Sequence, residues 1–381
     1  MYPRIYLAID NCVLYKRWTR PDEWGRIIRD MGIHYIEASA DNELDPLYTG
    51  EEHLRRWVDE VREAQEKYAV KVANLYSGHG SYTTLGMAHP EASVRKQMIE
   101  RFFKPLVNVA GQLGCGMGFF AHAFENRALQ SPELYAQYVR YVEDALVEIN
   151  TYAGEVGCGD LGIEKMYTPH QYPWRNQDVW ELLSNVTRRS GRSFYFTEDV
   201  GHHNPKFVRP RLEFKNQTTR GVWLGSDEAY DRINTTFDRI CDDIQKEVEK
   251  NPQLFMSDAE GGCYETLREL GCYSPIVHLQ QTNGALSAHL PFTERENAKG
   301  IITGERVLRV LKASYDRPPD SSMPNRVENI YLTLEIFSGT TSIMPDVLDD
   351  CRKSAEYWRQ YIPEDGLPLD QLVGRLDEPT E

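Results

Sequence analysis

The sequence predicts an α/β fold, specifically a closed (β/α)8 TIM barrel with long insertions after strands six and seven. Two observations support this prediction. Eight short apolar runs alternate with longer amphipathic segments, and the first run leads into Asp10-Asn11-Cys12 without a glycine-rich phosphate-binding turn. Eight strands alternating with helices are typical of a closed parallel barrel. An open doubly wound sheet is the alternative, but such sheets usually have fewer strands and a GxGxxG turn.

The predicted strands are short and apolar, as expected for parallel strands buried on both faces. They cover residues 5–9, 35–38, 70–75, 117–121, 161–166, 194–199, 276–280 and 330–336. The first predicted helix covers residues 22–31, because Thr19 is a possible N-cap and Pro21 stands at the start of the segment. The other amphipathic segments predict helices over residues 51–68, 92–113, 132–156, 177–189, 227–250, 304–314 and 346–361.

We predict one barrel domain over residues 1–362. Its two long connections, at about 203–272 and 285–328, exceed ordinary barrel loops. Connections of this length are usually functional lids or small added subdomains. The segment 363–381 is acidic and contains several prolines. We expect it to be a loosely held tail.

Composition excludes several classes of protein. A formal net charge of −15 and a pI of about 5.2 argue against a general nucleic-acid or anionic-membrane binder, which needs a basic face. The seven cysteines include no CxxC pair, so reduced thiols in a cytoplasmic protein are expected. No secretory signal or run of ~18 apolar residues is found, and we expect no membrane span.

Four polar residues stand where four consecutive predicted strands end: Glu164, Asp199, His278 and Glu335. A strand buried on both faces does not readily accommodate a carboxylate unless a cation or a substrate meets it there. Three carboxylates and one imidazole form an oxygen-rich set that suits Mg²⁺ or Mn²⁺ better than a thiolate zinc site. The pattern therefore predicts a divalent-metal site at the C-terminal end of the barrel.

Each of these residues also has a structural explanation. Glu164 could pair with Lys165, although neighbours in a strand point to opposite faces. His278 could be a core histidine, Glu335 could pair with an arginine, and Asp199 could cap a turn. Because all four occupy the same relative position on strands five to eight, the metal site is the better explanation of the set.

The chain resembles the xylose isomerase-like barrels of sugar isomerases and epimerases, a superfamily that includes endonuclease IV. The resemblance rests on Gly162-Ile163-Glu164, Asp199-Val200-Gly201-His202, Val277-His278-Leu279, Leu334-Glu335-Ile336 and the loop of residues 284–292. It implies that Glu164, Asp199, His278 and Glu335 bind one divalent metal, Mn²⁺ or Mg²⁺ with Co²⁺ or Zn²⁺ as further possibilities. It also implies that His202 contacts the substrate. Two loop histidines, His170 and His289, are further candidates for contacts with substrate hydroxyls or a phosphate.

The sequence departs from the family pattern at two places that concern the substrate. Where these epimerases usually carry an arginine beyond the histidine strand, the chain reads Gln280-Gln281-Thr282-Asn283-Gly284. His170 stands where a glutamate is common. The Asp-x-His sequence expected of endonuclease IV is absent after His278. These departures affect the choice of substrate more than the metal, and they argue against DNA repair.

The function that we expect is a sugar or sugar-phosphate isomerase or epimerase. Its chemistry would be proton transfer beside a carbonyl through a metal-stabilised enediolate, with Glu164 and Glu335 as the acid/base pair. Three alternatives remain open: a lyase or dehydratase acting on a polyol or inosose, a C-glycoside-cleaving enzyme, and a non-catalytic sugar-binding barrel. We expect a small-molecule partner, no nucleic acid, and a homo-oligomer.

Overall fold

The computed structural model describes residues 1–14, 20–78, 80, 82–203, 221–223, 249–257, 260, 262–284, 286–339 and 341–377. Eight parallel strands form a closed barrel in which each strand pairs with its neighbours and the last pairs with the first. Their bounds are β1 Arg4–Asp10, β2 Tyr35–Ser39, β3 Lys71–Tyr76, β4 Gly116–Phe119, β5 Leu161–Glu164, β6 Tyr195–Asp199, β9 Ile276–Leu279 and β10 Asn329–Leu334. The predicted closed barrel is therefore confirmed, and the open sheet is excluded by the pairing of β1 with β10.

Helices follow the strands as the amphipathic pattern predicts. The longer ones are Pro21–Asp30, Pro46–Tyr68, Ala92–Met98, Lys104–Leu113, Pro132–Glu155, Asn176–Ser190, Gly304–Asp316 and Met344–Arg359. The segment 92–113, predicted as one helix, contains a π-helical turn at Ile99–Phe103. Most of the predicted helix 227–250 lies outside the described residues. Two short helices that the sequence pattern missed are Ala40–Glu43 and Glu294–Asn297.

The main hydrophobic core lies between the strands and the surrounding helices. Trp24, Trp57 and Trp358 are almost completely buried there, each on a helix that packs against the barrel. Burying an aromatic side chain of this size contributes roughly 2–3 kcal/mol each in transfer free energy. This layer fixes the strands, and the strand ends are therefore rigid positions for functional side chains.

The two long connections contain ordinary barrel helices. Between β6 and β9 lie the antiparallel strands β7 Gly221–Trp223 and β8 Phe255–Ser257, followed by the helix Cys263–Leu270. Between β9 and β10 lies the helix Gly304–Asp316, which packs against Cys263–Leu270. The predicted insertion 285–328 therefore includes an element of the barrel itself. Residues 204–220 and 224–248 of the first insertion lie outside the described residues.

The C-terminal segment packs on the barrel up to residue 377. Leu367 and Pro368 form a short strand, β11, antiparallel to β1. The helix Leu369–Leu376 follows and buries Leu369, Leu372 and Val373. The expectation of a loosely held tail was wrong for these residues, because an apolar stripe at helical spacing lies within the acidic composition. No helix in the described part of the chain combines the length and apolar character that crossing a membrane requires.

Candidate active site

Four side chains meet at the C-terminal end of the barrel. Glu164 ends β5, Asp199 ends β6, His278 lies in β9, and Glu335 directly follows β10. One ligand atom from each lies within 4.8 Å of all the others, and all four residues are buried. We call these four residues the metal cluster. Their convergence follows from topology, because consecutive parallel strands end at the same rim.

The donor atoms of the metal cluster face one another without satisfying one another. His278 Nδ1 lies 3.3 Å from Glu335 Oε2 and 3.5 Å from Glu164 Oε1. His278 Nδ1 and Glu335 Oε2 are both buried, and neither makes a hydrogen bond of normal geometry. Buried polar atoms are rarely left in this state. Three carboxylates and one imidazole aimed at one point fit a divalent metal ion of the Mg²⁺ or Mn²⁺ type.

A buried carboxylate behind the metal cluster orients its imidazole. Glu37, in β2, places Oε1 2.7 Å from His278 Nε2, and it also accepts a hydrogen bond from the Asn74 side chain. This contact directs His278 Nδ1 toward the metal cluster, an arrangement that commonly supports histidine ligands of metals. The sequence pattern did not identify Glu37 as a partner of His278. The structure buries it completely, and its position near a strand end was the available signal.

Asp199 and Glu164 have supporting partners that the sequence did not reveal. Both carboxylate oxygens of Asp199 lie 2.9 Å from Gln280 Nε2, and Gly201 N donates to Oδ1 at 2.7 Å. Tyr76, at the end of β3, donates its hydroxyl hydrogen bond to Glu164. Gln280 stands at the start of the stretch that lacks the arginine of related epimerases. Its amide fixes the Asp199 carboxylate.

The pKa values reflect strong coupling within this end of the barrel. Burial disfavours the charged form of Asp199, but His202, His289 and His278 outweigh it and lower the Asp199 pKa. Burial raises the pKa of Glu335, and the neighbouring His278 and His289 offset this rise only in part. For His289 the neighbouring Glu335 outweighs burial and raises the pKa to about 9. The lowered pKa of Asp199 and the raised pKa of His289 indicate that carboxylates and imidazoles here stabilise one another's charges.

A cavity of about 600 Å³ opens above the metal cluster. Glu164 and Glu335 contribute to its wall, whereas Asp199 and His278 do not appear among the described residues that line it. Asp10, at the end of β1, also lines the cavity. The two glutamates are therefore the members of the metal cluster that a bound molecule can reach directly.

Two of the three histidines expected to contact substrate lie at this cavity. His202 lines it and places Nε2 3.0 Å from Asp199 Oδ2. His289 also lines it, with Nδ1 3.4 Å from Glu335 Oε2 and its ring stacked on Phe337 at 3.9 Å. Ser287 Oγ lies 3.1 Å from His289 Nε2.

The structure does not bring His170 to the cavity, since it is not found among the described lining residues. Its Nε2 lies 2.9 Å from Asn126 Oδ1, and its backbone carbonyl accepts a hydrogen bond from Phe124 N at 2.6 Å. These contacts bind the loop after β5 to the loop after β4. The expectation of a substrate contact by His170 rested on its distance from Glu164 in the sequence, and the loop carries the side chain elsewhere.

The model of the family described as a xylose isomerase-like TIM barrel matches residues 26–215. The chain belongs to this family. D-erythrulose 1-phosphate 3-epimerase from Brucella abortus is 21% identical over 308 residues, which cover 80% of this chain and 83% of that protein.

Solved structures share the fold over nearly the whole chain. A candidate xylose isomerase from Rhodospirillum rubrum superposes with a TM-score of 0.66 at 19% identity, covering 93% of this chain and 99% of that one. D-psicose 3-epimerase from Clostridium cellulolyticum, solved with D-tagatose, gives a TM-score of 0.58 at 11% identity, covering 93% and 98%. At these identities the likeness to solved structures shows the fold alone. The family membership and the curated relative nevertheless agree with a sugar epimerase or isomerase.

Proposed function

We propose that this chain is a divalent-metal-dependent epimerase or isomerase that acts on a keto sugar, with Glu164 and Glu335 as the acid/base pair. The observation that carries the proposal is the different exposure of the metal cluster to the cavity. Asp199 and His278 lie behind the wall, whereas Glu164 and Glu335 are part of it. A binding module has no need to present two carboxylates to its ligand beside a buried metal site.

The proposed chemistry is proton transfer beside a carbonyl. A bound divalent metal supplies Lewis-acid stabilisation of the negative charge that develops on the two substrate oxygens. One glutamate removes the proton from the carbon next to the carbonyl, and the other group of the pair returns a proton. Return to the same carbon from the opposite face gives epimerisation. Return to the carbonyl carbon, together with transfer of a proton from the hydroxyl oxygen to the former carbonyl oxygen, gives aldose–ketose isomerisation. β5 and β10 are separated by β6 and β9, so the two carboxylates approach a molecule in the cavity from different sides.

Neighbouring residues contact Glu164 and Glu335 and fix their carboxylates beside the cavity. Tyr76 donates a hydrogen bond to Glu164, which leaves that carboxylate fixed beside the cavity. His289 faces Glu335 through Nδ1 and presents its other edge to Ser287. His202 lies close to Asp199 and lines the cavity, where it can contact a substrate hydroxyl.

Epimerisation is favoured over aldose–ketose isomerisation by the curated relative, which is named as a 3-epimerase. The sequence identity of 21% does not transfer its substrate. Mn²⁺ or Mg²⁺ as the metal, a homo-oligomeric state, a cytoplasmic location and the absence of nucleic-acid binding stay predictions from the sequence.

Solvent exchange tests the proposal. We expect the metal-stripped protein, once Mn²⁺ is returned, to exchange deuterium from D2O into the carbon next to the carbonyl of a keto sugar. Glu164→Gln and Glu335→Gln should each reduce that exchange by about 10²–10⁴-fold, the usual contribution of a general acid or base. Glu63→Gln, on the exposed face of the helix Pro46–Tyr68, is the matched control and should exchange normally. Full exchange in either site variant, or after complete chelation, would contradict the proposal. Water loss or carbon–carbon cleavage instead of exchange would favour the lyase alternatives.

A further inference from the structure

We propose that the substrate is an uncharged keto sugar that carries a ring substituent, that is, a keto-glycoside. The sugar ring would lie on the metal cluster, and its substituent would lie against aromatic side chains at the cavity mouth. This inference rests on the proposed function and specifies the substrate class for the same site. Because a glycosidic bond blocks the anomeric carbon, the carbonyl of such a substrate lies on another ring carbon, beside a hydroxyl.

The size of the cavity is the first argument. Its volume of about 600 Å³ lies in the middle of the range for cavities that enclose drug-sized ligands. A single small sugar placed on Glu164 and Glu335 fills only part of this space. Tyr82 and Phe337 also line the cavity, so a substrate that fills it has a second group that reaches these side chains.

The second argument is the aromatic character of that outer part. Tyr82 follows β3, Tyr167 follows β5 and Phe337 follows β10, and all three line the cavity. The Tyr82 and Tyr167 rings meet edge to face at 6.4 Å. Tyr82 is 69% exposed and Phe337 is 49% exposed, which is unusual for large apolar side chains grouped at one opening. Flat aromatic faces at such a position suit the apolar face of a second ring.

Charge is the third argument, and it disfavours a phosphate. Asp10, Asp41, Glu164 and Glu335 all line the cavity, and its described lining includes no lysine or arginine. The three carboxylates of the metal cluster carry one more negative charge than a divalent ion supplies. Carboxyl groups bind sugar hydroxyls well, but they repel a phosphate dianion.

Six compounds in the same exchange assay with Mn²⁺ test this inference. These are phenyl and methyl 3-keto-D-glucopyranosides, both anomers of each, free D-psicose, and D-psicose 6-phosphate. We expect the highest kcat/KM for a phenyl glycoside, about tenfold above the methyl glycoside, and the lowest for the phosphate. Fastest exchange with D-psicose or its phosphate would overturn the glycoside inference and leave the proposed function standing. No exchange with any probe would overturn both.

Tyr82 provides the matched variants. Tyr82→Leu should raise KM for the phenyl glycoside about tenfold while kcat and the kinetics of the methyl glycoside change little. A tenfold change corresponds to ~1.4 kcal/mol, which lies within the contribution of an aromatic contact. Tyr82→Phe should keep wild-type KM, since the ring face and not the hydroxyl makes the contact. Tyr48→Leu is the control, because Tyr48 is 82% exposed and is not among the described cavity-lining residues. Equal loss for both glycosides in Tyr82→Leu, or none for the phenyl glycoside, would contradict the inference.

Discussion

Buried ionisable side chains lie on both faces of the sheet at the ends of β5 and β6, and the two sets differ in their balance of acids and bases. On the inner face, Glu164 and Asp199 belong to the metal cluster. On the outer face, their neighbours Lys165 and Glu198 lie with His203 between them. Lys165 Nζ is 3.2 Å from His203 Nδ1, and His203 Nε2 is 2.9 Å from Glu198 Oε1. All five residues are buried. We call Lys165, His203 and Glu198 the outer network.

The difference lies in charge balance. The outer network has one acid for one lysine and one histidine, so acids do not outnumber bases in it. The metal cluster has three acids for one imidazole, which leaves an excess of negative charge. Both sets contain buried atoms without a hydrogen bond of normal geometry, so the excess of acids is what separates them. Burying unpaired charge is costly. An excess of buried carboxylate at the floor of a cavity therefore marks a candidate cation site, whereas a buried set without such an excess suits a structural role.

The largest contrast is expected in turnover. Glu164→Gln should lower the rate of proton exchange by about 10²–10⁴-fold, because it removes a group that moves the proton. Lys165→Met, the adjacent position on the other face, should keep exchange per folded molecule within about threefold of wild type, since Lys165 does not appear among the described residues of the cavity wall. Exchange rates normalised to folded protein check both. Similar losses of proton exchange in Glu164→Gln and Lys165→Met would show that the metal cluster and the outer network do not differ in function.

The pH dependence of stability should identify the outer network. Burial lowers the pKa of Lys165 from 10.5 to about 8. Folding therefore releases a proton between these pH values, so the contribution of Lys165 to stability is present above pH 10.5 and is lost as the pH falls through 8. The free energy of unfolding of wild type relative to Lys165→Met should rise by on the order of 3 kcal/mol over that window. Urea unfolding of both proteins at pH 7.5 to 10.5 measures this. A constant difference would show that Lys165 titrates normally.

Metal affinity should depend on the residue that orients His278. Glu37→Gln keeps the size of the side chain but weakens its contact with His278 Nε2. Loss of such a supporting contact typically lowers metal affinity 10–100-fold. Calorimetric titration with Mn²⁺ measures the change. Glu43→Gln, a buried glutamate that hydrogen-bonds Asn11 and Trp24 instead, is the control and should bind Mn²⁺ as wild type does. Unchanged affinity in Glu37→Gln would show that Glu37 has only a structural role.

The smallest effect is expected in the metal-free protein. Glu335→Gln removes one of three crowded carboxylates, so it should raise the free energy of unfolding by about 1 kcal/mol, as relief of a functional site often does. With Mn²⁺ present, wild type should be more stable than Glu335→Gln, because wild type gains the free energy of metal binding. Urea unfolding with chelator and with Mn²⁺ tests this. If Glu335→Gln is less stable than wild type in chelator, the charges of the metal cluster are already balanced without a metal ion.

The barrel and its metal cluster could be predicted because both follow from local patterns. Each apolar run predicts a strand, and a charged residue at the end of that strand must lie at the C-terminal rim once the barrel closes. Partners across the barrel are harder to predict: Glu37 and His278 are 241 residues apart and meet only through the closed sheet. Gln280 gave no signal, since an amide after a strand is common.

Loops and the C-terminus show the limits of that reasoning. His170 was expected at the site from its distance to Glu164, but hydrogen bonds to the loop after β4 carry it away. Leu369, Leu372 and Val373 have the spacing of a buried helix face, and this signal was available in the sequence. The acidic and proline-containing composition of the whole segment conceals this spacing, which is visible only position by position.

Calorimetric titration of the metal-stripped protein with Mn²⁺ tests the central claim most directly. We predict one Mn²⁺ bound per chain, and loss of that binding in Asp199→Asn and in His278→Gln, with folding preserved by circular dichroism. Wild-type protein that binds no Mn²⁺, or variants that bind it as tightly as wild type, would contradict the assignment of these four residues as a metal site.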